Sequence, residues 1–204
     1  MDARTLSLLS RRSLLAGAAA TMGVVAVPHG AFALDLASAR ALIDRTIADV
    51  NAIISSGASE DVMLAGFERL FAKYADVPAI ARSTLGPAAR SASAGEMQSF
   101  TKAFQGYIAR KYGRRFREFI GGRIEVTDAR PIKTYYEVFT IAYLRGESPF
   151  DLRWHVADRG GKQLFFNIII EGVNMLASER TEIGALLDKR HGDIGKLIED
   201  LKKV

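Results

Sequence analysis

Cysteine is absent from the 204 residues, histidine occurs three times, and no apolar run is long enough to cross a bilayer comfortably. The missing cysteine excludes disulfides, a thiol nucleophile and an acylated anchor. His29 lies in an N-terminal stretch that reads as removable, and His155 and His191 have no second ligand at metal spacing. There is no G-x-S-x-G and no glycine loop shaped to cradle phosphate. Internal repeats and low-complexity linkers are also lacking. Catalysis would have to rest on single acids such as Glu137 or Asp128, and an acid on a strand is solvated or paired far more often than it is a buried base.

What is present is ordinary globular material: 49% hydrophobic and 25% charged residues, at a length that suits one domain with a sizeable core and not two. Residues 1–33 have the three parts of a cleaved export signal. Arg4, Arg11 and Arg12 lead into an apolar run from Leu14 to Val27, interrupted by Gly17, Thr21 and Gly23, and Ala31-Phe32-Ala33 supplies a small-x-small cleavage site. Arg11-Arg12 just before the run resembles the twin-arginine signal that exports folded proteins. A general secretory signal containing two arginines is the alternative, and both routes lead to the periplasm. Removing three arginines and one aspartate leaves residues 34–204 with 25 basic and 22 acidic residues, a net charge of +3. So small a balance speaks against nucleic acid as a partner and only weakly for an anionic one.

The pattern after residue 34 divides into helices, strands and helices again. Leu36, Ile43, Ile47, Val50 and Ile54 recur at helical spacing up to Gly57. Ser59-Glu60-Asp61 can open a second helix with Met63, Phe67, Leu70, Phe71 and Tyr74 on its inner face. A short helix runs from Val77-Pro78 to Gly86-Pro87, and a long one from about Ala94 carries a stripe of Phe100, Phe104, Tyr107, Ile108 and Tyr112. Beyond Arg110 and Lys111 this helix becomes dense in arginine. The period then falls to two, predicting strands near 123–128, 135–145, 150–158 and 162–171, with turns at Gly146 and Gly160-Gly161 and an antiparallel meander of at least three. Helices return at 182–190 and 194–203, separated by His191-Gly192. The class is α+β, with helices gathered on an antiparallel sheet of about four strands.

Two strands are apolar on both faces. In 135–145, Val138, Ala142 and Leu144 alternate with Phe139, Ile141 and Tyr143; in QLFFNIII, Leu164, Phe166, Ile168 and Ile170 alternate with Phe165, Asn167 and Ile169. Strands 150–158 and 123–128 alternate more cleanly. Bare apolar sheet costs about 25 cal/mol for each Å² left in water, so something must cover the second face. Helices, another subunit and an apolar ligand are the three choices, and an apolar cavity between sheet and helices serves the last.

Ile170-Glu171-Gly172-Val173-Asn174 reads as a strand end and a glycine turn, with Arg180 able to reach back to Glu171. This segment, followed by Arg180, the Gly192 turn and Leu197-Ile198, resembles the MlaC family, also called toluene-tolerance or auxiliary ABC-transporter phospholipid-binding proteins. Upstream, Phe67, Leu70, Phe71, Tyr74, Asp76, Ile80, Ala81, Arg82, Leu85, Gly86, Arg90, Phe100, Phe104 and Tyr112 fall in the family's order and spacing, and the likeness runs from about Ala37 to the C-terminus. Asn174 stands where serine is usual, Asn167 where aspartate is usual, Gln163 in place of a tryptophan and Ala89 in place of an aromatic.

The resemblance implies a soluble, monomeric periplasmic carrier that is not an enzyme and needs no cofactor or metal. It would hold phospholipid tails between sheet and helices and pass lipid between an outer-membrane lipoprotein complex and an inner-membrane ABC transporter. Candidate tail contacts are Phe67, Leu70, Phe71, Phe100, Phe104, Ile108, Phe139, Ile141, Tyr143, Phe166, Ile168 and Ile170, although only one face of each strand can line a cavity. Arg82, Arg90, Arg114 and Arg115 are the candidates for headgroup contact or docking. A hopanoid-associated lipid carrier, a small-molecule enzyme on a cone-shaped α+β domain, and a ligand-free adaptor that pairs with a second subunit are the alternatives.

Overall fold

The computed structural model describes residues 36–114 and 120–203. The stretch 1–33, expected to be an export signal, and Arg115 lie outside them. The described elements are six helices, α1 (Leu36–Ile54), α2 (Glu60–Tyr74), α3 (Val77–Leu85), α4 (Ala94–Gly113), α5 (Met175–Lys189) and α6 (Ile194–Leu201), and five strands, β1 (Arg123–Ile132), β2 (Tyr135–Tyr143), β3 (Phe150–Asp158), β4 (Gln163–Ile170) and β5 (Val173–Asn174). A 3-10 turn, Gly86–Arg90, follows α3. The strands form one antiparallel sheet in chain order, the predicted meander with one short strand added.

Local chemistry sets the helix ends. Ser93 and Glu96 form a reciprocal capping box at the start of α4. Asp76 caps α3 through Ala79 N–H at 3.2 Å, and its other oxygen takes the Arg159 guanidinium at 2.6 Å. The Asp76 amide also donates to the Phe165 carbonyl at 2.8 Å, so the corner between α2 and α3 is stitched to the edge of β4. α5 begins at Met175, seven residues before the expected Glu182, because Asn174 accepts from Ala177 N–H at 3.1 Å and caps a turn whose sequence has no strong apolar period. That early start carries Arg180 away from Glu171. Its guanidinium lies instead against Gly86, where an added Cβ would meet it in ordinary contact at 3.6 Å, so the positive φ of 64° is what favours glycine there. Gly172 has open space around it, so its φ of 82°, and not crowding, is what requires glycine in the turn.

α1 lies across the sheet and touches β1 to β4, while α2 and α3 pack on β4 and α5 packs on β4 and β5. α4 packs on α2, α3 and α6, and Phe100 and Phe104 are 0% exposed in that helical layer, with ring centroids 5.9 Å apart. The aromatic stripe therefore forms core among helices.

One polar clamp joins α4 to α5. Lys111 Nζ donates to Glu179 at 2.7 Å and to Glu182 at 2.5 Å, Tyr107 donates to Glu182 at 2.6 Å, and Tyr112 donates to Glu179. Burial pulls the Lys111 ammonium down, but its bonds to the two carboxylates outweigh this and its pKa ends above the ordinary lysine value. Burial and the nearby carboxylates push both tyrosine hydroxyls up, so they stay protonated donors. Glu179 is only 4% exposed, and its second oxygen is buried without a hydrogen-bond partner.

Removing the cation should leave Glu179 held by Tyr112 alone. Lys111→Met is expected to lower unfolding stability in urea by roughly 2–4 kcal/mol, and adding Glu179→Gln should recover part of that loss, because a neutral amide no longer strands a buried charge. Phe104→Ala is expected to cost about 3–5 kcal/mol in the same assay, the range for a fully packed core phenylalanine.

Candidate functional site

The register of the sheet sorts its side chains into rows. On the helix-covered face these are Ile124–Ala142–Phe150, then Val126–Thr140–Leu152–Ile170, then Ala129–Val138–Trp154–Ile168, and finally Pro131–Tyr136–Val156–Phe165. The middle of each row, on β2 and β3, is mostly buried beneath α1, with Val138, Ala142 and Val156 at 0% exposure. The flanks are half-buried: Ile124 and Val126 on β1, Phe150 on β3, Ile168 and Ile170 on β4. Leu70 and Phe71 on α2 and Ile108 on α4 are also half-buried against the same core, and the Phe71 ring stands 6.3 Å from that of Phe165. These residues are the partly buried apolar margin of the core.

The parity expected along β4 holds only in part. A bulge opposite His155 and Val156 inserts one extra residue, Phe166, so that Phe165 pairs with Val156 and Asn167 with His155. Phe165, Ile168 and Ile170 consequently share the helix face, and the Phe165 ring meets Trp154 edge-on at 5.4 Å. Phe166 turns to the other face, where it contacts Tyr135 at 5.5 Å and His155 at 5.6 Å. A second bulge, at Thr127, shifts β1 against β2.

The sequence candidates thus fall into three places. Leu70, Phe71, Ile108, Ile168 and Ile170 belong to the half-buried surface beside the helices. Phe67, Phe100 and Phe104 are buried in the helical layer. Phe139, Ile141, Tyr143 and Phe166 occupy the second face of the sheet. Of the basic candidates, Arg82, Arg90 and Arg114 are exposed, and Arg114 sits 3.7 Å from Glu60.

On the second face, guanidinium groups lie over the aromatic rings. Arg123 stands 3.9 Å above the Tyr143 ring, Arg130 4.6 Å above Phe139, and Arg159 5.8 Å from Phe166. Beneath them is a buried polar row that single-strand reading could not assemble: Glu137 on β2, His155 on β3 and Asn167 on β4, at 5%, 9% and 6% exposure. Arg130 donates twice to Glu137 Oε2, at 2.6 and 3.1 Å, and His155 Nε2 lies 3.3 Å from Oε1. Burial pushes the Glu137 carboxyl up, yet the bonds from Arg130 and His155 win and hold it below the ordinary carboxylate range. The available signal was register: all three residues sit at positions that the antiparallel pairing places side by side. That carboxylate is engaged on both oxygens by donors from its neighbours, which is the arrangement of a structural ion pair.

A model of the MlaC protein family matches residues 41–203. A phospholipid-binding protein from Ralstonia solanacearum, solved in complex with a phospholipid at 1.53 Å resolution, has a similar fold: TM-score 0.68 at 19% sequence identity, covering 81% of this chain and 95% of the other. The α+β architecture anticipated from the pattern is that of this relative. With the family match extending from the second turn of α1 to just past the end of α6, the chain belongs to the MlaC family.

Proposed function

We propose that this protein is a periplasmic phospholipid carrier, and not an enzyme, that passes lipid between an outer-membrane lipoprotein complex and an inner-membrane ABC transporter and so maintains outer-membrane lipid asymmetry. The observation that carries the reading is family membership over nearly all the described chain, supported by a phospholipid held in a protein of the same fold. The tails lie between the helical layer and the sheet, against Leu70, Phe71, Ile108, Ile168 and Ile170, because this apolar surface is only half-buried by the protein itself. Each buried methylene contributes about 0.8 kcal/mol, so two long tails give ample affinity with no directional contact. Phe139, Tyr143 and Phe166 on the opposite face lie under arginine side chains, which favours the helix side for the tails. Arg82, Arg90 and Arg114 form the exposed basic set available to a headgroup or docking partner.

Mass spectrometry of the gently purified protein should find a co-purified two-tailed phospholipid. Ile170→Glu is expected to lower bound lipid roughly tenfold or more, since it places a charge against the tails, whereas Ile141→Glu on the opposite face should leave it unchanged. Lipid-free protein, dimeric under the same conditions, would sink the carrier reading in favour of an adaptor. Export by the twin-arginine route predicts that replacing Arg11 and Arg12 together by lysine strands the precursor in the cytoplasm, as read by fractionation; unchanged export would assign the leader to the general secretory route.

A further inference from the structure

The β4 bulge creates a connection that runs beyond the sheet. Asn167 Oδ1 accepts from the backbone N–H of Leu176, in the first turn of α5, at 3.1 Å, and its Nδ2 lies 3.4 Å from His155 Nδ1. A backbone N–H can only donate, which fixes the amide with its oxygen toward Leu176 and its NH₂ toward the imidazole. Nδ1 must then be an acceptor, and the ring proton sits on Nε2, facing the Glu137 carboxylate. Every group in the row from Arg130 through Glu137, His155 and Asn167 to Leu176 has one consistent polarity, and it requires a neutral imidazole.

A second proton breaks that polarity. With Nδ1 protonated, the ring and the Asn167 NH₂ would be two donors face to face. Turning the amide over satisfies the ring but aims NH₂ at the Leu176 N–H, which again opposes two donors. We propose that His155 is a proton-operated switch, whose protonation releases the Asn167 link to the first turn of α5. This goes beyond lipid carriage and does not depend on the identity of any ligand.

The charges facing the ring come from several elements. Glu137 of β2 favours the proton; Arg153, on β3 with the ring and 4.0 Å from Glu137 Oε1, opposes it, as does Arg130 of β1 by engaging the carboxylate. Tyr135 of β2 packs on the ring at 4.7 Å, and Phe166 of β4, with Arg159 above it, closes another side. Burial is the largest influence and holds the imidazole below the ordinary histidine value, with Arg153 adding to it against the pull of Glu137. The folded state therefore takes up this proton at lower pH than the unfolded chain does. Stability from this site is complete above the unfolded value near 6.5 and is lost as pH falls through the folded one.

Hydrogen exchange of backbone amides, followed by NMR on the purified protein alongside the His155 ring resonances and corrected for the intrinsic pH dependence of exchange, tests the switch. The Leu176 amide should lose about fivefold of its protection, the factor for one hydrogen bond of about 1 kcal/mol, with the midpoint of the His155 titration. The Ala177 amide, held by Asn174, should not follow it. In Asn167→Asp a carboxylate can accept from the protonated ring and from Leu176 together, so protection there should hold or rise through the same titration. A flat Leu176 response in the parental protein, the same fall in Asn167→Asp, or a ring that stays neutral until the whole fold melts would each overturn the proposal.

Discussion

Strands that are apolar on both faces cannot leave either face in water, and the structure is organised around that constraint. At about 25 cal/mol per Å², an uncovered face of β2 and β3 would offset much of a small domain's net stability. The two faces are covered by different means. Toward the helices, α1 crosses four strands and buries Val138, Ala142, Leu152, Trp154 and Val156, leaving the flanks on β1 and β4 half-open. On the opposite side no such helix is needed, because Arg123, Arg130 and Arg159 spread their planar guanidinium groups over Tyr143, Phe139 and Phe166 while keeping charge near water. This asymmetry distinguishes the helix side, where we propose the lipid tails lie, from the face that carries the arginine side chains.

The single extra residue at Phe166 governs how β4 contributes to both sides. Without it, Phe165 would share a face with Asn167 and Ile169, and the polar row across β2, β3 and β4 would end at His155. With it, Phe165 joins Trp154 in the core, Phe166 folds over the imidazole, and Asn167 stands between His155 and the start of α5. A bulge also strengthens local twist, which suits the place where the outer edge of β4, still paired with β3, meets the corner at Ala75 and, further along, the short β5.

In the helical layer the corresponding constraint is Glu179. Taking a carboxylate out of water is tolerable only with strong donors, and Lys111 and Tyr112 of α4 supply them. This fixes the rotation of α5 about its axis and brings Arg180 against Gly86, so two short sequence signatures almost a hundred residues apart become one contact between α3 and α5. The glycine is required there by its backbone angle, which other residues resist.

By itself the sequence determined the class and the order of elements, because the hydrophobic period and the capping residues are local properties. Helices on 36–54, 60–74, 77–85 and from 94, the meander from 123 to 170, and the family likeness carried by residues such as Tyr74, Asp76, Gly86 and Arg180 were all legible. The start of α5 was not, since its first two turns are marked by Asn174 and by a bond from a different strand, and not by apolar spacing. Nor was the partition of the aromatic candidates: Phe100 and Phe104 carry the same local signal as a cavity wall would, and only the packing of α4 on α2, α3 and α6 makes them core. The faces of Phe165 and Phe166 were settled by a bulge, which breaks the two-residue period without leaving a trace in composition. Glu137, His155 and Asn167 look like three unrelated polar residues along the chain; antiparallel register, a property of the assembled sheet alone, is what makes them neighbours.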